Sequence, residues 1–189
     1  INGRAMLRVA KYQSNAWDTL GTGFNGDVYS LALFNTGLYA GGNFTISDGL
    51  PVKRLARLVV NNWTAVGFGM DDGAVHCMRV YSNSLYIGGT FTTIGGSTTN
   101  RIARWNGTSF SNVGFGFSSG VYALHSLGSK LYAGGEFDFA DFLPAAKIAE
   151  YNGSTWSALG TGIGGTSPKV KALSSYLGDI IVGGTFTLA

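Results

Sequence analysis

The stretch GTGFNG at residues 21–26 spells G-x-G-x-x-G, the spacing with which a glycine turn lays a dinucleotide pyrophosphate on the N-terminus of a following helix. That chemistry requires a helix immediately after the loop. Here the loop runs through Asp27 into VYSLALF, whose aliphatic and aromatic residues predict a strand. The loop also returns as GFGMDDG, GFGFSSG and GTGIGG. A connection used in every unit serves the architecture, and the dinucleotide reading is set aside.

Two histidines are the next candidates for acid–base or metal chemistry. His76 aligns within the repeat with Tyr29, Tyr122 and Lys171, whereas His125 aligns with Ala32, Arg79 and Ser174. They hold different registers in different units and predict no shared site. A copper centre of two imidazoles and a Cys–Tyr crosslink has no context here. Cys77 stands alone, so no disulfide and no cysteine zinc cluster forms within the chain, and it is expected to pack as a small hydrophobe. Carboxylates occur at Asp48, at Asp71 and Asp72, and at Glu136, Asp138 and Asp141, without the D-x-[DN]-x-[DN]-G loop of a calcium site. There is no G-x-S-x-G elbow and no Asp-box. The expectation is a protein without catalytic residues, metal or cofactor.

Basic residues recur as Arg8, Arg54, Arg101 and Lys147, with Lys11, Arg57 and Arg104 three places beyond the first three. Positions three apart on a strand face opposite ways, and a repeat spreads each set around the fold, so no stripe for nucleic acid is predicted. The net charge of +3 is too small to argue otherwise. No apolar run is long enough to span a bilayer, so membrane insertion is not expected. The sequence opens at Ile1 without Met, which reads as a removed leader or a segment of something longer.

What positions all these groups is a repeat. LYAGGNFT, LYIGGTFT, LYAGGEFD and IIVGGTFT place Gly41, Gly88, Gly134 and Gly183 at intervals of 47, 46 and 49. Trp17, Trp63, Phe110 and Trp156 run in step with them. Each unit holds four short strand-like segments: the VYSLALF series, the LYAGG series, the series VAKY, LARL, IARW and IAEY, and the series around those aromatics. Turn signals separate them, and Asn106-Gly107 and Asn152-Gly153 predict type I′ hairpins between the third and fourth strands. No helical period persists. With 189 residues, 45% of them hydrophobic, and 30 glycines, the chain can bury a core while making many tight turns.

Four antiparallel strands in that period is the size of one propeller blade. The expected fold is all-β: a β-propeller of four blades with four antiparallel strands each, forming one domain over residues 1–189. Its units are about 28–74, 75–120, 121–169, and 170–189 joined with 1–27, so strands from both termini close one blade. The paired glycines are expected to bend the second strand, and the phenylalanine after them to wedge between blades. Monomer, or homodimer forming a larger ring, are both open, as are further blades beyond this window.

The pattern RIARWNGTSFSNVG…GVYALHSLGSKLYAGGEF resembles repeats of secreted bacterial surface proteins and of the fungal cortical cell-polarity marker, akin to kelch and galactose-oxidase central domains. That resemblance implies an interaction or adhesion module, extracellular or at the cell surface.

The rim where strand-two–three and strand-four–one connections emerge carries the varied loops TISDGLPVK, TTIGGSTTN and DFADFLPAA. Varied loops on a repeated scaffold suit binding. The candidate binding residues are Phe24, Phe68, Met70, Phe115, Phe117, Asp48, Phe139 and Phe142, set against the alternative that the apolar ones pack onto neighbouring loops. The partner is expected to be a protein or glycan ligand; a lectin-like propeller and the scaffold of a larger secreted enzyme are the alternatives. Sequons begin at Asn43, Asn62, Asn106 and Asn152, two of them in the Asn-Gly turns.

Overall fold

A computed structural model describes residues 7–189, and all its regular elements are strands. The chain opens with a ribbon of β1 (Ala10–Gln13) and β2 (Ala16–Thr19). The next unit holds β3 (Val28–Phe34), β4 (Gly37–Gly42), a small rim hairpin of β5 (Ile46–Ser47) and β6 (Leu50–Pro51), then β7 (Leu55–Val59) and β8 (Asn62–Ala65). The pattern repeats as β9 (Val75–Tyr81), β10 (Ser84–Gly89), β11 (Thr93–Ile94), β12 (Ser97–Thr98), β13 (Ile102–Trp105) and β14 (Phe110–Asn112). It repeats again as β15 (Val121–Leu127), β16 (Lys130–Gly135), β17 (Phe139–Ala140), β18 (Leu143–Pro144), β19 (Ile148–Tyr151) and β20 (Trp156–Ala158). The last ribbon is β21 (Lys169–Tyr176) and β22 (Asp179–Thr185).

Three sheets of four antiparallel strands result, β3-β4-β7-β8, β9-β10-β13-β14 and β15-β16-β19-β20. First strands pack side by side, β3 on β9, β9 on β15 and β15 on β21. That is the arrangement of blades around an axis. β10 and β16, the second strands of the two units with a neighbour on each side, are buried along almost their whole length.

The glycine pairs explain the close fit. A Cβ on Gly41 would lie 2.4 Å from Val75 Cγ1, on Gly88 2.7 Å from Val121 Cγ1, and on Gly134 2.2 Å from Val170 Cγ1. In each case the next blade's first valine rests on bare backbone, and any side chain would push the blades apart. The bulge opposite these glycines falls on the first strand. Gly41 faces Ser30 while Gly42 faces Val28, leaving Tyr29 extra, and the same shift leaves His76, Tyr122 and Lys171 extra in the other units. Phe44, Phe91 and Phe137 are fully buried; Phe44 stacks on Phe24 and Phe137 packs at a tilt against Phe117.

Two expectations are corrected. Strands from the two ends do not share a sheet: β1-β2 and β21-β22 are separate two-stranded sheets. The bonds Gly42 N to Arg54 O, Gly89 N to Arg101 O and Gly135 N to Lys147 O join second to third strand in each full sheet, and no counterpart links Gly184 to Arg8. The Asn-Gly turns are not type I′ either, since Gly107 and Gly153 have positive φ but Asn106 and Asn152 do not. Each Asn instead accepts with its side-chain oxygen from the amides two and three residues on, as Asn106 does from Thr108 N and Ser109 N at 2.8 Å. The paired left-handed residues of a primed turn occur at Asn35-Thr36 and Ser82-Asn83, between first and second strands.

Candidate functional site

The rim is assembled from the loop that enters each blade and the small hairpin that follows its second strand. Isolated bridges tie them together: Phe24 to Ser47, Met70 to Ile94 and Phe117 to Ala140. The bridge turns each loop side chain inward. Phe24 sits 4.1 Å from the Phe44 ring and 4.9 Å from Trp63, and Phe117 sits 4.4 Å from Phe137 and 4.7 Å from Trp156. Phe24, Met70 and Phe117 are therefore 1%, 0% and 2% exposed and are not available to a partner, a correction to their candidacy.

Polar staples fix the same loops. Arg8, Arg54 and Arg101, all at positive φ, donate from their guanidinium groups to the carbonyls of Phe24, Met70 and Phe117 at 2.6, 2.9 and 3.0 Å. Lys147, at the equivalent place, bonds Asp138 at 2.5 Å and the Glu136 carbonyl at 3.3 Å. Arg8, Arg54, Arg101 and Lys147 are thus braces for the rim. Asp48 accepts from Thr22 N at 2.6 Å and Trp63 N at 2.8 Å; Asp141 accepts from Phe115 N at 2.7 Å and Trp156 N at 3.3 Å. Each carboxylate clasps an entering loop to a fourth strand, so Asp48 belongs to the scaffold. Burial raises the Asp48 pKa, but the amides of Thr22 and Trp63 outweigh it and hold the group below the ordinary carboxylate value. Asp72 behaves alike: burial raises it, and bonds from Thr92 and Thr93 bring it lower.

On this braced rim four predicted aromatics stand out into solvent. Phe68, Phe115, Phe139 and Phe142 are 75%, 66%, 47% and 74% exposed. The last three gather on one blade, with Phe115 and Phe142 rings 5.0 Å apart. They surround a groove of about 390 Å³ whose floor includes Asn100, Arg101 and the buried Phe117. Leu50 and Leu143, also exposed at hairpin tips, carry the same character and were not singled out from sequence.

A second concavity lies on the axis. The bulged residues Tyr29, His76, Tyr122 and Lys171 line it with Lys169 and Thr185, around a cavity of about 770 Å³. His76 stacks on Tyr29 at 5.1 Å and meets the Tyr122 edge at 4.9 Å. Burial lowers the His76 pKa, and burial beside Glu136 pushes Tyr122 up to about 12, so both rings are neutral at pH 7. Glu136 itself accepts from Tyr122 at 2.9 Å and pairs with Lys169 at 2.5 Å. His125 sits elsewhere, 3.1 Å from Ser175, so the histidines do not converge. Burial raises the Cys77 thiol far above its usual value, which suits a packed side chain. Among the described residues no group of three His, Cys, Asp or Glu side chains is placed to hold a metal. No helix of the described residues is long and apolar enough to cross a membrane.

Comparison with known proteins agrees with the architecture. Residues 82–107 match the model of the family described as "Domain of unknown function (DUF5122) beta-propeller". Among solved structures, the computationally designed Ika4 protein is similar over 89% of this chain and 92% of its own, at 13% identity and a TM-score of 0.59. The computationally designed Ika8 protein is similar over 85% of this chain and 45% of its own, at 13% identity and a TM-score of 0.52. No curated protein matches. The chain is an all-β protein of propeller type.

Proposed function

We propose that the chain is a non-enzymatic interaction module of an extracellular or surface protein, built from four propeller units of kelch-like kinship, which binds a protein partner through its loop rim. The observation that carries this reading is the cluster of Phe115, Phe139 and Phe142, exposed on loops that hydrogen bonds hold rigid. Large rings held in place lose little conformational freedom on binding, and aromatic side chains dominate the energetics of most interfaces. Three exposed phenylalanines side by side also exceed the scattered apolar exposure of an ordinary surface.

A glycan ligand is the second reading, favoured by ring faces open to stacking. Photo-crosslinking from p-benzoylphenylalanine placed at Phe142, compared with the same residue at Ser129 on the opposite rim, tests the first. A specific protein adduct from position 142 alone is expected. Equal labelling from both positions would refute the rim as the binding surface, and glycan-array binding lost on Phe142→Ser would move the assignment to sugar.

A further inference from the structure

We propose that the rim cavity of the second full unit binds a carboxylate supplied by a ligand, at the place where the first and third full units use a carboxylate of their own. Asp48 accepts from the amides of Thr22 and Trp63, and Asp141 from those of Phe115 and Trp156, one carboxylate oxygen to each amide. Phe68 and Phe110 hold the corresponding places. Phe68 lies two residues before Met70, whose bridge to Ile94 matches those of Phe24 to Ser47 and Phe117 to Ala140. Phe110 faces Trp105 in the register in which Trp63 faces Leu58 and Trp156 faces Tyr151. The residue that would complete the clasp is Gly95, which has no side chain, so neither amide has the carboxylate that its counterparts have.

Two further substitutions open the same place. Trp63 and Trp156 are buried and donate from Nε1 to Leu20 O at 3.0 Å and Val113 O at 3.3 Å, whereas the smaller Phe110 is half-buried and has no such donor. Thr99 stands where Val52 and Ala145 pack in the core, and it is 5% exposed with no partner for its Oγ1. A buried hydroxyl left unpaired is destabilising, and this one replaces an apolar residue that needed no partner. Around these positions lies a cavity of about 300 Å³, lined by Gly67, Phe68, Gly95, Thr99, Trp105 and Phe110. Asp71, three residues after Phe68, is engaged by Gly96 N at 2.8 Å and by Lys53 at 3.1 Å and does not line it.

A carboxylate offers two oxygens to two N–H donors, and hydrogen bonds to a charged acceptor are the stronger kind. Amides fixed by the backbone are already in place to donate, so little ordering is left for binding to pay. The clasps of Asp48 and Asp141 show the geometry this fold gives such a pair, with N···O distances from 2.6 to 3.3 Å. The site is separate from the Phe115, Phe139 and Phe142 cluster and does not depend on what binds there.

Amide NMR of the isotope-labelled chain tests this, with sodium acetate titrated against sodium chloride of equal ionic strength. The Phe68 and Phe110 amide protons are expected to move downfield together and saturably. Those of Thr22, Trp63, Phe115 and Trp156, already bonded to carboxylates, should stay in place. Gly95→Asp builds the clasp within the chain, and Phe115 beside Asp141 shows that a phenylalanine at position 68 can coexist with it. In that variant both amide protons should lie downfield from the start and no longer respond to acetate. A capped Gly-Glu-Gly peptide run in parallel separates the sources. Tighter binding than acetate assigns the carboxylate to an acidic side chain of a partner, and equal or weaker binding assigns it to a free acid. No acetate shift of Phe68 and Phe110 beyond that of chloride would overturn the proposal whether or not the variant folds. A shift shared equally by all of these amides, or one that persists in folded Gly95→Asp, would overturn it too.

Discussion

Replacing Asp141 by alanine tests how the rim is held. Its carboxylate takes the Phe115 and Trp156 amides, at 2.7 and 3.3 Å, and its own φ is 50°. A hydrogen bond to a charged acceptor contributes about 1.5–3 kcal/mol, and the Trp156 bond is long and the site half-exposed, so the pair together should be worth about 2 kcal/mol. Aspartate already bears about 1 kcal/mol of strain from its Cβ in the left-handed region, which alanine keeps and glycine relieves. Asp141→Ala should thus lower stability by about 2 kcal/mol and Asp141→Gly by about 1 kcal/mol. The glycine variant copies the second full unit, where Gly95 holds this place. Urea unfolding followed by tryptophan fluorescence reads both, with an unchanged m-value required for the comparison. If Asp141→Ala stays within about 0.5 kcal/mol of the parent, the clasp is not what fixes the loop; if the two variants are equal, the strain assignment is wrong.

Exposed Phe115 and Phe142, replaced together by serine, should leave the unfolding free energy within about 0.5 kcal/mol while abolishing the crosslinked adduct; a large loss of stability would show that they are core and not surface. Asp48 and Asp72 have pKa values below their unfolded ones, so their contribution is complete above the ordinary carboxylate range and is lost as pH falls through the lowered values. An acid titration of stability should therefore flatten below about pH 4 in an Asp72→Asn variant, and an unchanged slope would contradict the assignment. Cys77 should ignore a thiol reagent at pH 8 until the chain unfolds, because burial raises its pKa; prompt native-state labelling would place it at the surface.

The strands were legible because their signals are local. Val75–Tyr81, Val121–Leu127 and Ile102–Trp105 coincide with the segments read from the repeat. Which rim residues point outward was not. Phe117 and Phe115 are two places apart in GFGFSSG, and only the bridge to Ala140 decides that the first is buried and the second exposed. The axial quartet shows in the sequence only as an aligned column, since a bulge reveals itself only when two strands are laid side by side. The Asn-Gly turns misled for a related reason: Asn106 satisfies the following amides with its side chain, which removes the need for a left-handed backbone there.

The architecture stands on neighbouring units seating a valine on bare glycine, and a double-mutant cycle on Gly134 and Val170 reads that contact directly. Gly134→Ala alone should cost about 1–3 kcal/mol by overpacking, and Val170→Ala alone about 2 kcal/mol. Combined, the smaller residue at 170 makes room for the added methyl at 134, and the double variant should be more stable than the sum of the two losses by at least about 1 kcal/mol. Strict additivity would mean that these residues, 36 positions apart in sequence, do not touch, and the radial packing of blades would be wrong.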